Sequence, residues 1–164
     1  VLSHPPFPNL PTMTAVRLYP SLCWFDGTAI SQGRGTAHPF TVLGHPGLKG
    51  QYHFSFQPVS AANGGNNPLY AGQTCYGKDV SGFADIPSET SLRILRLDWL
   101  LEFYRHFPKP ETFFQAERFD RLAGTSGLRE QVRDGWSESR IRKSWQPALS
   151  VYSSIRKRYL IYPD

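Results

Sequence analysis

Apolar and polar positions along this chain change rhythm near residue 88. Before it, short apolar runs are broken every few residues by Gly, Pro, Asn and Ser, the spacing of strands joined by long loops. After it, apolar residues recur at helical intervals. Strands first and helices afterwards predict an α+β domain, with short mixed or antiparallel strands and long loops in the first half and helices packed on them in the second.

In the first half, Thr12 is placed to cap a short helix over Met13–Leu18, which Pro20 is expected to end. Phe40–Leu43, Gln51–Phe56 and Gln73–Val80 are strand candidates. In the second of them, Tyr52, Phe54 and Phe56 alternate with polar residues, as in a half-buried strand. Asp26-Gly27-Thr28 reads as a turn, and Ser31 to Thr36 as a loop bracketed by Gly33 and Gly35. Asn63 to Pro68 has only loop-forming residues.

The second half opens with Ser88-Glu89-Thr90-Ser91, a helix start. Leu92, Leu95, Trp99, Phe103 and Phe107 form one row, flanked by Ile94, Leu97, Leu101 and Tyr104, so this helix is buried over much of its circumference until Pro108 and Pro110 stop it. Thr125 or Ser126 caps a short helix through Leu128 and Val132, closed by Gly135. Ser137 starts another through Ile141. Pro147 suits the first position of a last helix, with Leu149, Tyr152 and Ile155 facing inward. Tyr159–Tyr162 reads as a terminal strand.

The 164 residues make one domain with room for a core independent of disulfides or metals. No run approaches the roughly 18 apolar residues of a membrane span. A start at Val1, without Met, basic n-region or apolar h-region, reads as truncated or processed. Cys23 and Cys75 could form one bridge, but two buried thiols are the simpler reading. The net charge of +5 is uneven. Residues 1–90 carry four cations and four acids, which leaves 14 Lys and Arg against nine acids beyond residue 90. A basic half invites a polyanion: nucleic acid, a membrane surface or a wall polymer.

Several chemistries lack their residues. The five histidines form no HxxxH pair and no cysteine stands at ligand spacing, so no metal site is expected. No G-x-S-x-G elbow, Walker loop or dinucleotide fingerprint is present, and no cofactor is expected. The helices around Gly135 and the run Arg156-Lys157-Arg158 outline a helix-turn-helix, yet acids alternate with bases from Arg129 to Glu138, which argues against nucleic acid. The loop acids Asp26, Asp79 and Asp85 show no spacing that makes two converge as a glycosidase pair. The segment from Asp26 to Thr36 is the best candidate site. There Arg34, between two glycines, either offers its guanidinium fork to a ligand or pairs with Asp26 to pin the loop.

Tyr19-Pro20-Ser21-Leu22-Cys23-Trp24-Phe25-Asp26-Gly27-Thr28, then Ser31-Gln32-Gly33-Arg34-Gly35-Thr36 and Pro39-Phe40, resembles a bacterial family long catalogued as a domain of unknown function and associated with exo-β-N-acetylmuramidases. The resemblance continues through Asn9-Leu10-Pro11-Thr12, Tyr70-Ala71-Gly72, Cys75-Tyr76-Gly77 and Phe119-Asp120-Arg121-Leu122-Ala123-Gly124-Thr125. It ends with Ile141, Ser144-Trp145-Gln146 and Arg158-Tyr159-Leu160-Ile161-Tyr162, so it spans nearly the whole chain in order.

The resemblance implies a hydrolase that removes N-acetylmuramic acid from the non-reducing end of peptidoglycan fragments and is exported to the periplasm or cell exterior. It implies that residues 1–164 are the single C-terminal domain, that a Rossmann-like N-terminal domain absent from this chain carries the catalytic residues, and that the cleft lies between the two. No catalytic residue is therefore assigned here, and the isolated chain is expected to be inactive. Asp26 departs from the family pattern, where Glu is expected, and its carboxylate reaches one methylene less far. Asn9, Asp26, Arg34 and Thr36 are the expected cleft-wall residues, with Arg34 a partner for the lactyl carboxylate of muramic acid. Tyr76 is a candidate for stacking on a sugar face, against the simpler reading of a strand aromatic. An apolar patch near the first half is expected where the missing domain docks, and a homodimer could form through it. The alternative is a non-catalytic module that binds an anionic polymer, either wall glycan or nucleic acid.

Overall fold

The computed structural model describes residues 10–60, 67–84 and 94–162. Helix α1 spans Met13–Leu22, with the Thr12 hydroxyl accepting from the Ala15 N–H at 3.1 Å as expected. It does not stop at Pro20. Ala15, Leu18 and Leu22 are buried at helical spacing, so their packing outweighs the one hydrogen bond that proline cannot donate. A 3₁₀ turn over Cys23–Gly27 follows directly.

Three antiparallel strands form the sheet: β1 (Val42–His45), β2 (Phe54–Phe56) and β3 (Cys75–Asp79), in the order β1-β3-β2. All three strand candidates correspond to strands: the second and third are shortened, and the first is shifted two residues on, from Phe40–Leu43 to Val42–His45. Gly44 faces Gly77 across β1 and β3, and a Cβ on Gly77 would fall on the Leu43 carbonyl oxygen. Only glycine lets the strands approach this closely.

Helix α2 covers Leu97–His106 and buries Leu97, Trp99, Leu100 and Phe103. It is shorter than the periodicity suggests. Ile94 and Leu95 are exposed, and the Arg96 N–H donates to Ser21 Oγ at 3.0 Å, which ties the helix start to the end of α1. The start expected at Ser88–Ser91, and the row position Leu92, lie outside the described residues. Helix α3 (Ala116–Ala123) has no counterpart among the expected elements. It ends at Gly124 in the left-handed region (φ 74°).

Helix α4 (Gly127–Arg133) follows, with Thr125 Oγ1 accepting from the Gly127 N–H and Gly135 (φ 72°) turning the chain after it. Arg129 grips Asp120 through two bonds of 2.7 and 2.8 Å, fastening α4 to α3. Helix α5 (Glu138–Arg156) starts on the Ser137 cap and runs unbroken through Pro147, where two helices are expected. Its end is also different from expectation. Leu149, Tyr152 and Ile155 are exposed rather than inward, and Tyr159–Tyr162 forms a 3₁₀ end and an exposed tail instead of a strand. Among the described residues no strand lies beside that tail to accept its backbone bonds.

The core is strongly aromatic. Phe25, Phe40, Trp99, Phe103, Phe113 and Phe119 are fully buried between α1, the sheet and α2 to α4. Both cysteines are free thiols, Cys75 buried and Cys23 half-buried. Among the described residues no helix is long and apolar enough to cross a membrane.

Gly27 passes against α3 so closely that an added Cβ would stand 2.5 Å from Phe119 Cα. We expect Gly27→Ala to cost about 1–3 kcal/mol, read as a fall of roughly 2–4 °C in Tm per kcal/mol. An unchanged Tm would show that α3 can retreat freely. His45 gives a pH prediction. Burial holds its imidazole below the ordinary value, while Nδ1 accepts from the Gly47 N–H at 2.9 Å. The unfolded chain takes up this proton near pH 6.5, so the contribution is complete above that pH and is lost as pH falls through the lower folded value. Tm should therefore drop on going from about pH 7.5 to about 5.5. His45→Asn, which keeps an acceptor for Gly47, should drop less. Equal drops would place the linkage elsewhere.

Candidate functional site

Asp26 and Arg34, the two side chains singled out in the glycine-bracketed loop, meet on the wall of a cavity of about 440 Å³. The 3₁₀ turn supplies Asp26. The following loop supplies Thr28, Ser31, Gln32 and Arg34, the segments around Val59 and Asn67–Leu69 form one rim, and the start of α3 brings Gln115 and Arg118 to the other.

Backbone geometry fixes the loop. Gly33 and Gly35 both have positive φ (75° and 77°), and a Cβ on either would collide, at Gly33 with Val42 and the His38 carbonyl, at Gly35 with Pro68 and the Val59 carbonyl. Thr36 does not line the cavity. Its hydroxyl donates to the Gly33 carbonyl at 2.6 Å and accepts from the His38 N–H at 2.9 Å, so it holds the turn that aims Arg34. From the opposite side, the Gln115 N–H donates to the Gly27 carbonyl at 2.9 Å, and the Ala29 N–H to the Phe113 carbonyl at 2.8 Å. Tyr70 Oη donates to the Ala29 carbonyl at 2.8 Å, and burial pushes its pKa up to about 12, so it remains a neutral donor.

Arg34 Nη2 donates to Asp26 Oδ2 at 2.7 Å, while the guanidinium lies 4.9 Å from the centre of the Phe40 ring. Its Nε is buried and has no protein partner. Arg118 approaches the same Asp26 oxygen at 3.9 Å but keeps more than half its side chain exposed. Among the described residues, the charged groups lining the cavity are thus two guanidiniums and one carboxylate, a net charge of +1. Amides from Gln32, Asn67 and Gln115 and hydroxyls from Thr28 and Ser31 accompany them, while Phe25, Val59, Pro68 and Leu69 give an apolar wall. Such a lining suits a hydroxyl-rich ligand that carries one negative charge. With a single carboxylate, already held by Arg34, it does not present the facing pair that common glycoside hydrolysis requires.

Arg34 thus pins the loop through Asp26 while still lining the cavity. Tyr76 does not reach this site. It sits on β3 opposite His45 and Ser55 and packs against the core, because strand alternation turns it to the sheet face that meets the helices. Asn9 lies outside the described residues. Sequence reasoning missed Gln115 and Arg118, which lie far down the chain and reach the site only because α3 crosses Gly27. The one available signal was the segment starting at Phe119, one residue beyond Arg118, among those that carry the family resemblance. Among the described residues no group of three or more His, Cys, Asp or Glu could hold a metal ion.

A family model described as the C-terminal part of the exo-β-N-acetylmuramidase NamZ matches residues 17–162. The chain belongs to that family. It is 30% identical to the peptidoglycan β-N-acetylmuramidase NamZ of Bacillus subtilis (strain 168), an alignment that covers 96% of this chain and 40% of that protein. The crystal structure of a DUF1343 family protein from Bacteroides fragilis superposes with a TM-score of 0.85 at 37% identity, covering 98% of this chain and 44% of that one. This NamZ C-terminal domain therefore spans less than half the length of either relative. The Asp26–Arg34 cavity falls inside the stretch that the family model matches.

Asp26→Asn keeps the shape of the side chain and removes its charge. We expect it to cost about 1 kcal/mol, reduced from the usual value for a charged hydrogen bond because Arg34 is partly exposed. Arg34→Lys should fall in the same direction, since a point charge cannot both bond Asp26 and cover Phe40. Denaturant unfolding reads both, and no change in either would mean that solvent already screens the pair.

Proposed function

We propose that this domain forms one wall of the substrate cleft of a two-domain exo-β-N-acetylmuramidase, and that the Asp26–Arg34 cavity receives the N-acetylmuramic acid at the non-reducing end of a peptidoglycan fragment. The observation that carries the reading is the net positive, amide-rich lining of the cavity. N-acetylmuramic acid differs from neutral amino sugars in its lactyl carboxylate, and the unpartnered Arg34 Nε and the exposed Arg118 guanidinium are donors for that group. Gln115 and Asn67 suit its acetamido and hydroxyl groups, and Phe25, Pro68 and Leu69 its apolar face.

In this reading the catalytic carboxylates come from a Rossmann-like domain across the cleft, since among the described residues the cavity lining offers Asp26 alone. The two relatives, each more than twice the length of the stretch they share with this chain, have room for such a domain. Asp26, one methylene shorter than glutamate, then orients Arg34 rather than reaching the sugar itself. Thr36 supports the wall through the turn it closes. The substrate is a wall polymer, so the protein acts outside the bacterial cytoplasm.

The test is release of N-acetylmuramic acid from a chromogenic muramide by the whole polypeptide that the gene encodes. Activity is expected from the whole polypeptide and none from this domain alone. Arg34→Ala and Arg118→Ala in the whole protein should each lower kcat/KM about tenfold or more, that is about 1.4 kcal/mol or more of lost binding to the transition state. An unchanged kcat/KM for Arg34→Ala would remove the cavity from the substrate path. Salt-sensitive retention on heparin with no response to muropeptides would instead favour a module for an anionic polymer.

A further inference from the structure

Helix α5 begins in the core and ends outside it. Ile141 is fully buried and Trp145 packs against the core. At 100° per residue, Leu149, Tyr152 and Ile155 continue the same stripe, with Val151 at its edge. Yet these four are between 47% and 62% exposed, and Tyr159 in the 3₁₀ turn that follows is 78% exposed. The inward face of the helix thus runs past the edge of the domain for about 16 Å, at 1.5 Å per residue from Gln146 to Arg156. Ile161 and Tyr162 extend it, exposed by 89% and 79%. Isolated exposed apolar residues need no explanation, but a contiguous stripe in register with the core marks a surface that is covered.

Two observations identify the cover. The family model runs to residue 162, so the overhang belongs to the shared domain, and the relatives carry more than half their length outside it. The charge pattern disfavours a second copy. Residues 139–162 hold Arg140, Arg142, Lys143, Arg156, Lys157 and Arg158 and no acid. Two such helices packed antiparallel would set one basic end against the other, and packed parallel would align like with like. We propose that the apolar face of α5 beyond Trp145 docks on the second domain of the longer NamZ-type polypeptide, in an apolar groove rimmed by acidic residues. The basic ends of the helix then meet that rim, and the contact sets how the two walls of the cleft face each other.

The proposal rests on the two-domain reading, and the test separates them. In the whole polypeptide, Tyr152 is replaced by the photo-crosslinking residue p-benzoylphenylalanine, a substitution that keeps an aromatic ring at an exposed position. Irradiation should give an intramolecular cross-link to a peptide outside this domain, with acidic residues near the linked position and no change in mass on gels. The yield should fall several-fold when salt is raised from low to about molar strength, where the Debye length shrinks to about 3 Å. A cross-linked dimer, or no cross-link at all, overturns the docking. Muramide release by the same variant reads the other question. Release without the cross-link sinks the docking alone, while the cross-link without release sinks the glycosidase assignment and leaves the docking standing.

Discussion

A methyl group on Gly27 would stand 2.5 Å from Phe119 Cα and 2.6 Å from its nitrogen, and this absence of space organises the candidate site. The 3₁₀ turn after α1 lies directly on α3, with the Gln115 N–H donating to the Gly27 carbonyl to lock the crossing. Asp26, one residue before the contact, and Arg118, one residue before Phe119, are thereby carried to the same cavity. Neither needs a long-range side-chain bond to get there. Their proximity is a consequence of two backbones touching.

Beneath the crossing, rings hold the position. Phe113, Phe114 and Phe119 meet edge-on at 4.7 to 4.8 Å between centres, and Tyr104 and Phe107 close on Phe113 from α2 and the residue after it. Such packing resists small displacements, because each ring is fixed by its neighbours and has few rotamers. The cavity is therefore a preformed feature. Gly33 and Gly35, held in conformations other residues avoid, turn Arg34 onto Asp26 and Phe40 before any ligand arrives.

The domain is lopsided in what it satisfies. The core draws on the first half and on α2 to α4, whose exposed apolar residues (Met13, Tyr19, Val59, Leu69 and Leu122) stand scattered, while α5 carries a core-facing stripe beyond the last residue it could cover. Pro147 does not end α5, so the helix carries Leu149, Val151, Tyr152 and Ile155 on into solvent. The proposals made for the net positive cavity and for the overhanging helix both assign these surfaces to a second domain, and the chain spans less than half of its relatives.

Local chemistry decided much of this. Thr12 and Ser137 cap their helices, Gly135 turns the chain, two strands lie within their expected segments and the third overlaps its own, and the α+β order follows from the change in apolar period. Each depends on neighbours a few residues apart, so each is legible in one sequence. The glycine-bracketed loop was legible for the same reason, since only glycine tolerates its backbone. Helix α3 was not. Its eight residues bury Phe119 alone, too little for a periodic signal, and it is stabilised by the Gly27 crossing and by Asp120 gripping Arg129. Gln115 and Arg118 were hidden with it, and Pro20 was read as a helix end and Pro147 as a helix start because the packing that carries helices past them is not local. The sequence on its own determined the α+β order, most helix caps, the glycine-bracketed loop and the family resemblance. Which residues share the cavity, and which apolar face is left without a cover, was settled by contacts between segments far apart in the chain.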